Sequence, residues 1–260
     1  MSFAIFSDSS CNLPKAQLEE FQVQIISSSY EREGKLITCP PYPEDFDGHE
    51  YYNFLRNKGV VKTSLIPAAQ MEDAFRPVLA AGEDVLYITL SSGISGTVAS
   101  GLQAAQALME EFPQRQVRVL DSMGAGFGIG LLLGRASDDR KAGLNLDQTY
   151  ASLERDRDNL CEFFTVDDLM FLRRTGRLSG VTATLGTMLD LKPILTVTRE
   201  GKIVAFDKVK GRKKVVKYLA DTVEKNYVDD DICKELMVVC HADNKEQAEA
   251  LKAAIEERLG

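Results

Sequence analysis

Histidine is scarce in this chain and cysteine has no pairing pattern. His49 and His241 are the two histidines in 260 residues, so a catalytic imidazole has at most two sources. Cys11, Cys39, Cys161, Cys233 and Cys240 are odd in number and nowhere show C-x-x-C spacing. That argues against a disulfide framework and against a zinc site. Their plain reading is small core residues in a reduced compartment. No apolar stretch approaches the roughly 18 residues of a membrane helix, and the N-terminus meets Asp8 before an apolar signal region develops. Secretion and membrane spanning are not expected, and a cytoplasmic location is. Internal repeats and low-complexity tracts are absent as well.

Two enzyme motifs are missing by one residue each. A dinucleotide fingerprint needs glycine at position 129, where Ile129 stands among Gly124, Gly126, Gly128 and Gly130. The nucleophile elbow G-x-S-x-G fails at Thr97 within Gly93-Ile94-Ser95-Gly96-Thr97. Ser95 and His241 keep the order serine then histidine, but Asp243 stands too near His241 in sequence to orient it. A serine esterase or acyltransferase using Ser95 is therefore kept as the alternative function. No residue is otherwise assigned a catalytic role, and neither a cofactor nor a metal is expected.

What is present is ordinary globular composition, 44% hydrophobic and 27% charged. A length of 260 residues favours two domains over one. The net charge of −8 is uneven, because 171–220 hold twelve Lys/Arg against three Asp/Glu. The cluster Lys208, Lys210, Arg212, Lys213, Lys214 and Lys217 suits an anionic partner or a phosphate, or is solvated helix surface. Nucleic acid is not expected as a partner, given the acidic total and the lack of a binding motif.

Residues 3–6 read as a strand and Pro14 opens a helix through Phe21. The unit recurs, with a continuous apolar strand at 85–90, a small-residue helix over 95–111, a strand at 117–120 and a helix beginning near Met123. Strands alternating with helices indicate a mainly parallel sheet flanked by helices, in a domain spanning 1–160. A second, α+β domain spans 161–260. It contains a strand at 163–166, short helices at 167–174 and 179–189, and a hairpin of 193–198 with 202–208 turning at Glu200-Gly201. A helix at 212–226, a strand at 236–241 and a helix at 244–259 capped by Asp243 or Asn244 complete it. Residues 25–60 fit neither domain cleanly, and their crossing into the second is left open.

The chemistry gathers in hydroxyls. Thr63, Ser64, Ser91, Ser92 and Ser95 fall at expected carboxyl ends of strands, where open parallel sheets bind ligands. Ser95 stands where a helix begins, and the first turn of a helix offers unpaired N–H groups and the positive end of its dipole. Gly93 and Gly96 let backbone approach a ligand closely. The combination suits a small anion, most simply a carboxylate, although Ser95 or Thr97 also reads as a plain helix cap. Charge is missing from 85–109 and from 122–134, so both helices are expected to be mostly buried. The glycines of the second permit tight packing or an adjacent apolar cavity. His241 ends an expected strand and reads as a ligand contact or a structural donor. The loop Arg173-Arg174-Thr175-Gly176-Arg177 places guanidinium groups near an anion or caps helix ends.

Taken in order, Asp8-Ser9, Thr63-Ser64, Ser91 through Thr97, Asp121-Ser122, Gly176-Arg177-Leu178-Ser179, Lys192-Pro193-Ile194-Leu195 and His241 resemble the DegV family of bacterial fatty-acid-binding proteins. The resemblance spans essentially the whole chain, with Leu65-Ile66-Pro67 departing from the family's usual Gln-Pro after the Thr-Ser pair. It implies two α/β domains with a long-chain fatty acid between them. It also implies a carboxylate held by Thr63 and Ser95, with Ser64, Ser92, Gly96 and His241 as further ligand contacts. Arg174, Arg177 and Arg212 become candidates to contact a phosphate or a partner. The implied partner is a separate fatty acid kinase that makes an acyl phosphate on the presented acid, while this chain acts as carrier. Transient membrane contact is left open.

Overall fold

The computed structural model describes residues 3–179, 191–228 and 237–260. The chain divides into two compact units, Met1–Leu160 and Cys161–Gly260. In the first, strands β1 (Phe3–Asp8), β2 (Val23–Ile26), β6 (Asp84–Thr89) and β7 (Val117–Asp121) form a parallel sheet in the order β2-β1-β6-β7. Both β1 and β6 are buried along their whole length, which explains their unbroken apolar character. Their side chains alternate between two cores. Phe3, Ile5, Leu86 and Ile88 face one, with Leu18 of α1 (Lys15–Glu20), Leu132 of α5 (Phe127–Lys141) and Leu153 of α6 (Leu146–Asp156). Ala4, Phe6, Val85 and Tyr87 face the other, with Phe75 of α3 (Ala68–Ala80) and Leu108 of α4 (Thr97–Glu111).

This arrangement fixes where a ligand site can form. The chain leaves β1 toward α1 on one face of the sheet and leaves the adjacent β6 toward α4 on the other. The carboxyl edge between β1 and β6 is therefore the topological switch point, the place at which open α/β sheets receive ligands.

Between β2 and α3 lies an inserted antiparallel sheet, β4-β3-β5, built from β3 (Ser29–Arg32), β4 (Lys35–Thr38) and β5 (Val61–Ser64), with α2 (Gly48–Arg56) between the last two. Residues 25–60 thus belong to the first unit. The Thr63-Ser64 pair does end a strand, but an antiparallel one, because 61–64 pair with Ser29–Arg32 and not with the parallel sheet.

The second unit holds β8 (Phe163–Phe164), α7 (Leu169–Arg174), β9 (Leu178–Ser179), β10 (Leu191–Val197) and β11 (Ile203–Lys210) in the sheet order β8-β10-β11-β9. The hairpin turns through Thr198 and Gly201, and a bulge follows Pro193 at Ile194/Leu195. That places the proline, which cannot donate to the ladder, beside an irregularity. Helices α8 (Arg212–Asn226) and α9 (Lys245–Leu259) follow, with Val215, Leu219 and Leu251 packing around Ile194.

Several expectations are corrected. Residues 237–241 carry no strand, and no described strand pairs with them. The strand at 163 stops at Phe164, where its pairing with Leu195 and Thr196 ends. The expected helix at 179–189 has 180–189 outside the described residues. Helix α5 starts at Phe127 and not near Met123, because Met123 and Gly126 take left-handed φ values of 51° and 52° that a right-handed helix excludes. Helix α4 is only partly buried. Its lack of charge is met in part by an exposed face of Leu102, Gln103, Gln106 and Met109. Nor are all the thiols core residues, since Cys161 and Cys240 are exposed while Cys11 is buried.

Candidate functional site

The carboxyl edge of the parallel sheet is built around two carboxylates that the sequence reading left without a role. Asp8 ends β1 and is almost wholly buried. Its Oδ2 accepts from Tyr87 Oη at 3.1 Å and Thr89 Oγ1 at 2.5 Å, and its Oδ1 from Ser10 N at 2.9 Å and from the Ser10 hydroxyl. Four donors replace the water a buried carboxylate loses, and no ion pair among the described residues includes it. Burial, with the Asp8 charge beside it, pushes the Tyr87 phenol well above its ordinary pKa, so it stays a donor. Asp8 thereby ties the turn after β1 to the end of β6, and Ser9 in that turn shares a 2.7 Å hydrogen bond with Ser28.

The loop after β6 is held from within by Ser91, which is buried. Its carbonyl accepts from Ile94 N and Ser95 N at 2.9 and 3.0 Å, and its hydroxyl accepts from Gly93 N at 3.1 Å. This folds Ser92 through Gly96 into a compact turn. Ser95 Oγ lies 2.8 Å from Thr97 Oγ1 and accepts weakly from Thr97 N at 3.3 Å. Gly96, not Ser95, is the cap residue of α4, and having no side chain it forms no cap bond of its own. In this turn Ser92 and Gly96 are exposed and Ser95 is half-buried.

The structure brings the other hydroxyl pair to this loop. A Cβ on Gly96 would lie 3.1 Å from Leu65 Cδ2, so the residue following Thr63 and Ser64 rests directly against the start of α4. Thr63 and Ser64 themselves are exposed at the end of β5. Thr63 stands opposite Tyr30 across the β3–β5 pair. The glycines of α5 serve packing. A Cβ on Gly130 would meet Leu13 at 2.7 Å and one on Gly134 would meet the Phe21 ring at 3.4 Å, which leaves no cavity at either position.

The remaining candidates lie in the second unit. His241 is exposed, and its Nδ1 accepts from Asn244 N at 3.3 Å at the start of α9. Asn244 is the cap residue there, but its side-chain nitrogen donates to Gln247 and it forms no side-chain cap bond. Arg174 reaches Asp168 at 3.6 Å, and Arg177 Nη1 donates to the Thr175 carbonyl at 2.5 Å. Arg212 meets Asp167 at 3.5 Å, where Lys192 Nζ also arrives at 2.5 Å. The basic cluster of β11 and α8 is exposed. Among the described residues no group of His, Cys, Asp and Glu is placed to hold a metal ion, and no helix is long and apolar enough to cross a membrane. A shallow pocket lined by Leu79, Phe112, Pro113 and Arg115 lies at the opposite edge of the sheet, away from the hydroxyls.

Residues 2–260 match the family described as "Uncharacterised protein, DegV family". The chain belongs to the DegV family. A DegV domain-containing protein of Clostridium perfringens is 33% identical over 98% of this chain and 87% of its own length. Among solved structures, a DegV-family protein of Thermus thermophilus described by its fatty acid binding is 30% identical. It covers 87% of this chain and 78% of its own, with a TM-score of 0.75. A fatty acid binding DegV family protein of Streptococcus agalactiae is 27% identical over 99% of this chain and 88% of its own, with a TM-score of 0.83. The DegV architecture of a parallel sheet flanked by helices, with antiparallel sheets beside it, is therefore common to this chain and solved relatives.

What sequence reasoning missed in this DegV chain is the scaffolding of the hydroxyls, above all the Asp8 network. Asp8-Ser9 and Asp121-Ser122 could be read as polar residues at strand ends, but their partners come from other strands and leave no local trace.

Proposed function

We propose that this chain binds a long-chain fatty acid, holds its carboxylate at Thr63, Ser64, Ser92, Ser95 and Gly96, and presents it to a separate fatty acid kinase for acyl-phosphate formation. The observation that carries the reading is the contact of Leu65 with Gly96. It brings the residue that follows Thr63 and Ser64 to a helix start whose cap residue, Gly96, has no side chain. Such a helix start attracts a negative group, and hydroxyls can donate to it without an ion pair. The Thermus thermophilus and Streptococcus agalactiae relatives, both described by fatty acid binding, support the choice of ligand.

Affinity comes from the tail. Burying a sixteen-carbon chain at about 0.8 kcal/mol per methylene offers roughly 12 kcal/mol before entropic costs, so the head group needs only to be oriented. Ser95 acts as a hydrogen-bond partner of the ligand. Its hydroxyl is already engaged with Thr97, which suits a hydrogen-bonding holder. His241, with Nδ1 held by Asn244, offers Nε2 as a further ligand contact. Arg174, Arg177 and Arg212 are the proposed contacts for the kinase or the transferred phosphate.

The test is mass spectrometry of lipid extracted from the purified protein, alongside Thr63→Ala and Ser95→Ala variants. A long-chain fatty acid is expected at near one per chain in the wild type and at a reduced level in both variants. A folded wild-type protein that carries no fatty acid and is not stabilised by any would sink the reading. Formation of acyl phosphate with an added fatty acid kinase, dependent on this chain, tests the presentation step.

A further inference from the structure

We infer that Asp121 is a positioning residue for the head group, acting through the loop that carries Ser95; the inference rests on the fatty-acid reading above. Asp121 ends β7 and is half-buried. Its carboxylate accepts from Met123 N at 3.0 Å, within its own turn. It also reaches across to the neighbouring loop, where both oxygens accept from Ser92 N at 3.2 and 3.3 Å. A residue that merely shaped its own turn would make the first bond and not the second.

The consequences run through a short chain of bonds. Ser92 follows Ser91, whose N donates to Gly124 O at 3.1 Å, in the turn after Asp121, and whose carbonyl holds Ser95 N. The loops after β6 and β7 are thus joined through Ser91 and Gly124 and again through the Asp121 carboxylate. Asp121 is itself anchored from the far side, since Arg157 Nη1 donates to its backbone carbonyl at 2.8 Å. Met123, whose N–H donates to the Asp121 carboxylate, has a left-handed φ of 51°. Without the carboxylate, Ser92 N and Met123 N lose their common acceptor, and the turn that presents Ser95 and the start of α4 loses a tie to the loop after β7.

The test compares palmitate with hexadecanol, which has the same tail and no carboxylate, by titration into delipidated full-length protein. Asp121→Ala is expected to weaken palmitate binding on the order of tenfold while changing hexadecanol binding less than about twofold. Asp121→Asn is expected to recover part of the palmitate loss. Both variants remove the negative charge and only Asn keeps an acceptor oxygen, so the difference between them isolates the hydrogen bonds from the charge. Equal weakening of palmitate and hexadecanol overturns the inference, because Asp121 is then a general stabiliser. Unchanged palmitate affinity in Asp121→Ala overturns it while leaving the fatty-acid reading intact. A wild-type protein that takes up no palmitate overturns both.

Discussion

Removing the Asp8 side chain should destabilise the first unit more than removing either hydroxyl that donates to it. In Asp8→Ala the Tyr87 and Thr89 hydroxyls, at 3.1 and 2.5 Å from Oδ2, lose their acceptor in a region closed to water. An unsatisfied buried hydroxyl costs about 1–3 kcal/mol. Two of them, partly offset by no longer burying a carboxylate, give a net loss of about 2–4 kcal/mol. Tyr87→Phe and Thr89→Val each delete a donor and leave an acceptor that keeps other partners, so each should cost about 1 kcal/mol. The double variant Asp8→Ala/Tyr87→Phe should be less destabilised than the sum of its parts by about 1 kcal/mol, since the phenol no longer lacks a partner. Urea denaturation, with hydrogen exchange read on peptides from β1 and β6, measures these differences in the unit concerned. An Asp8→Ala loss below about 1 kcal/mol, or strict additivity in the double variant, would refute the reasoning.

Gly130→Ala and Gly134→Ala should move stability in opposite directions by thermal unfolding. The first drives a Cβ to 2.7 Å from Leu13 and costs about 1–3 kcal/mol of overpacking, while the second meets Phe21 at 3.4 Å and gains up to about 1 kcal/mol of helix propensity. Burial raises the Cys11 thiol from 9.0 to about 11. Below pH 9 both folded and unfolded thiols keep their proton and stability is unaffected. As pH rises from 9 toward 11 the unfolded chain ionises first, so stability falls by up to about 3 kcal/mol, and Cys11→Ala should lack that share of the loss in alkaline denaturation. Alkylation at pH 8 with peptide mapping should modify exposed Cys161 and Cys240 before Cys11.

Legibility in the sequence followed how local the cause was. Strand β6 could be read because burial on both faces leaves an unbroken apolar run. The hairpin of β10 and β11 announced itself at Glu200-Gly201. The loop between β6 and α4 was legible as a loop from its serines and glycines, which break a strand before a helix begins. The pairing of the strand that carries Thr63 was not, because a four-residue strand pairing with Ser29–Arg32 leaves no periodicity to detect. Helix α4 was read as buried because it lacks charge, yet glutamine, alanine and an exposed Leu102 face water without any. The start of α5 was misplaced because a left-handed Met123 is not written in its side chain.

The Asp8 network joins residues 79 and 81 positions apart along the chain. Strand β1 leaves the ribosome well before its neighbour β6, which follows only after the inserted sheet, α2 and α3 have been made. Until then Asp8 has neither of the two hydroxyls that make its burial tolerable. The carboxyl edge at the switch point is therefore a late product of folding, assembled by a long-range closure that is intrinsically slow. Conditions that stall synthesis between β2 and β6 leave an N-terminal strand with an open edge, the segment that a chaperone would have to shelter.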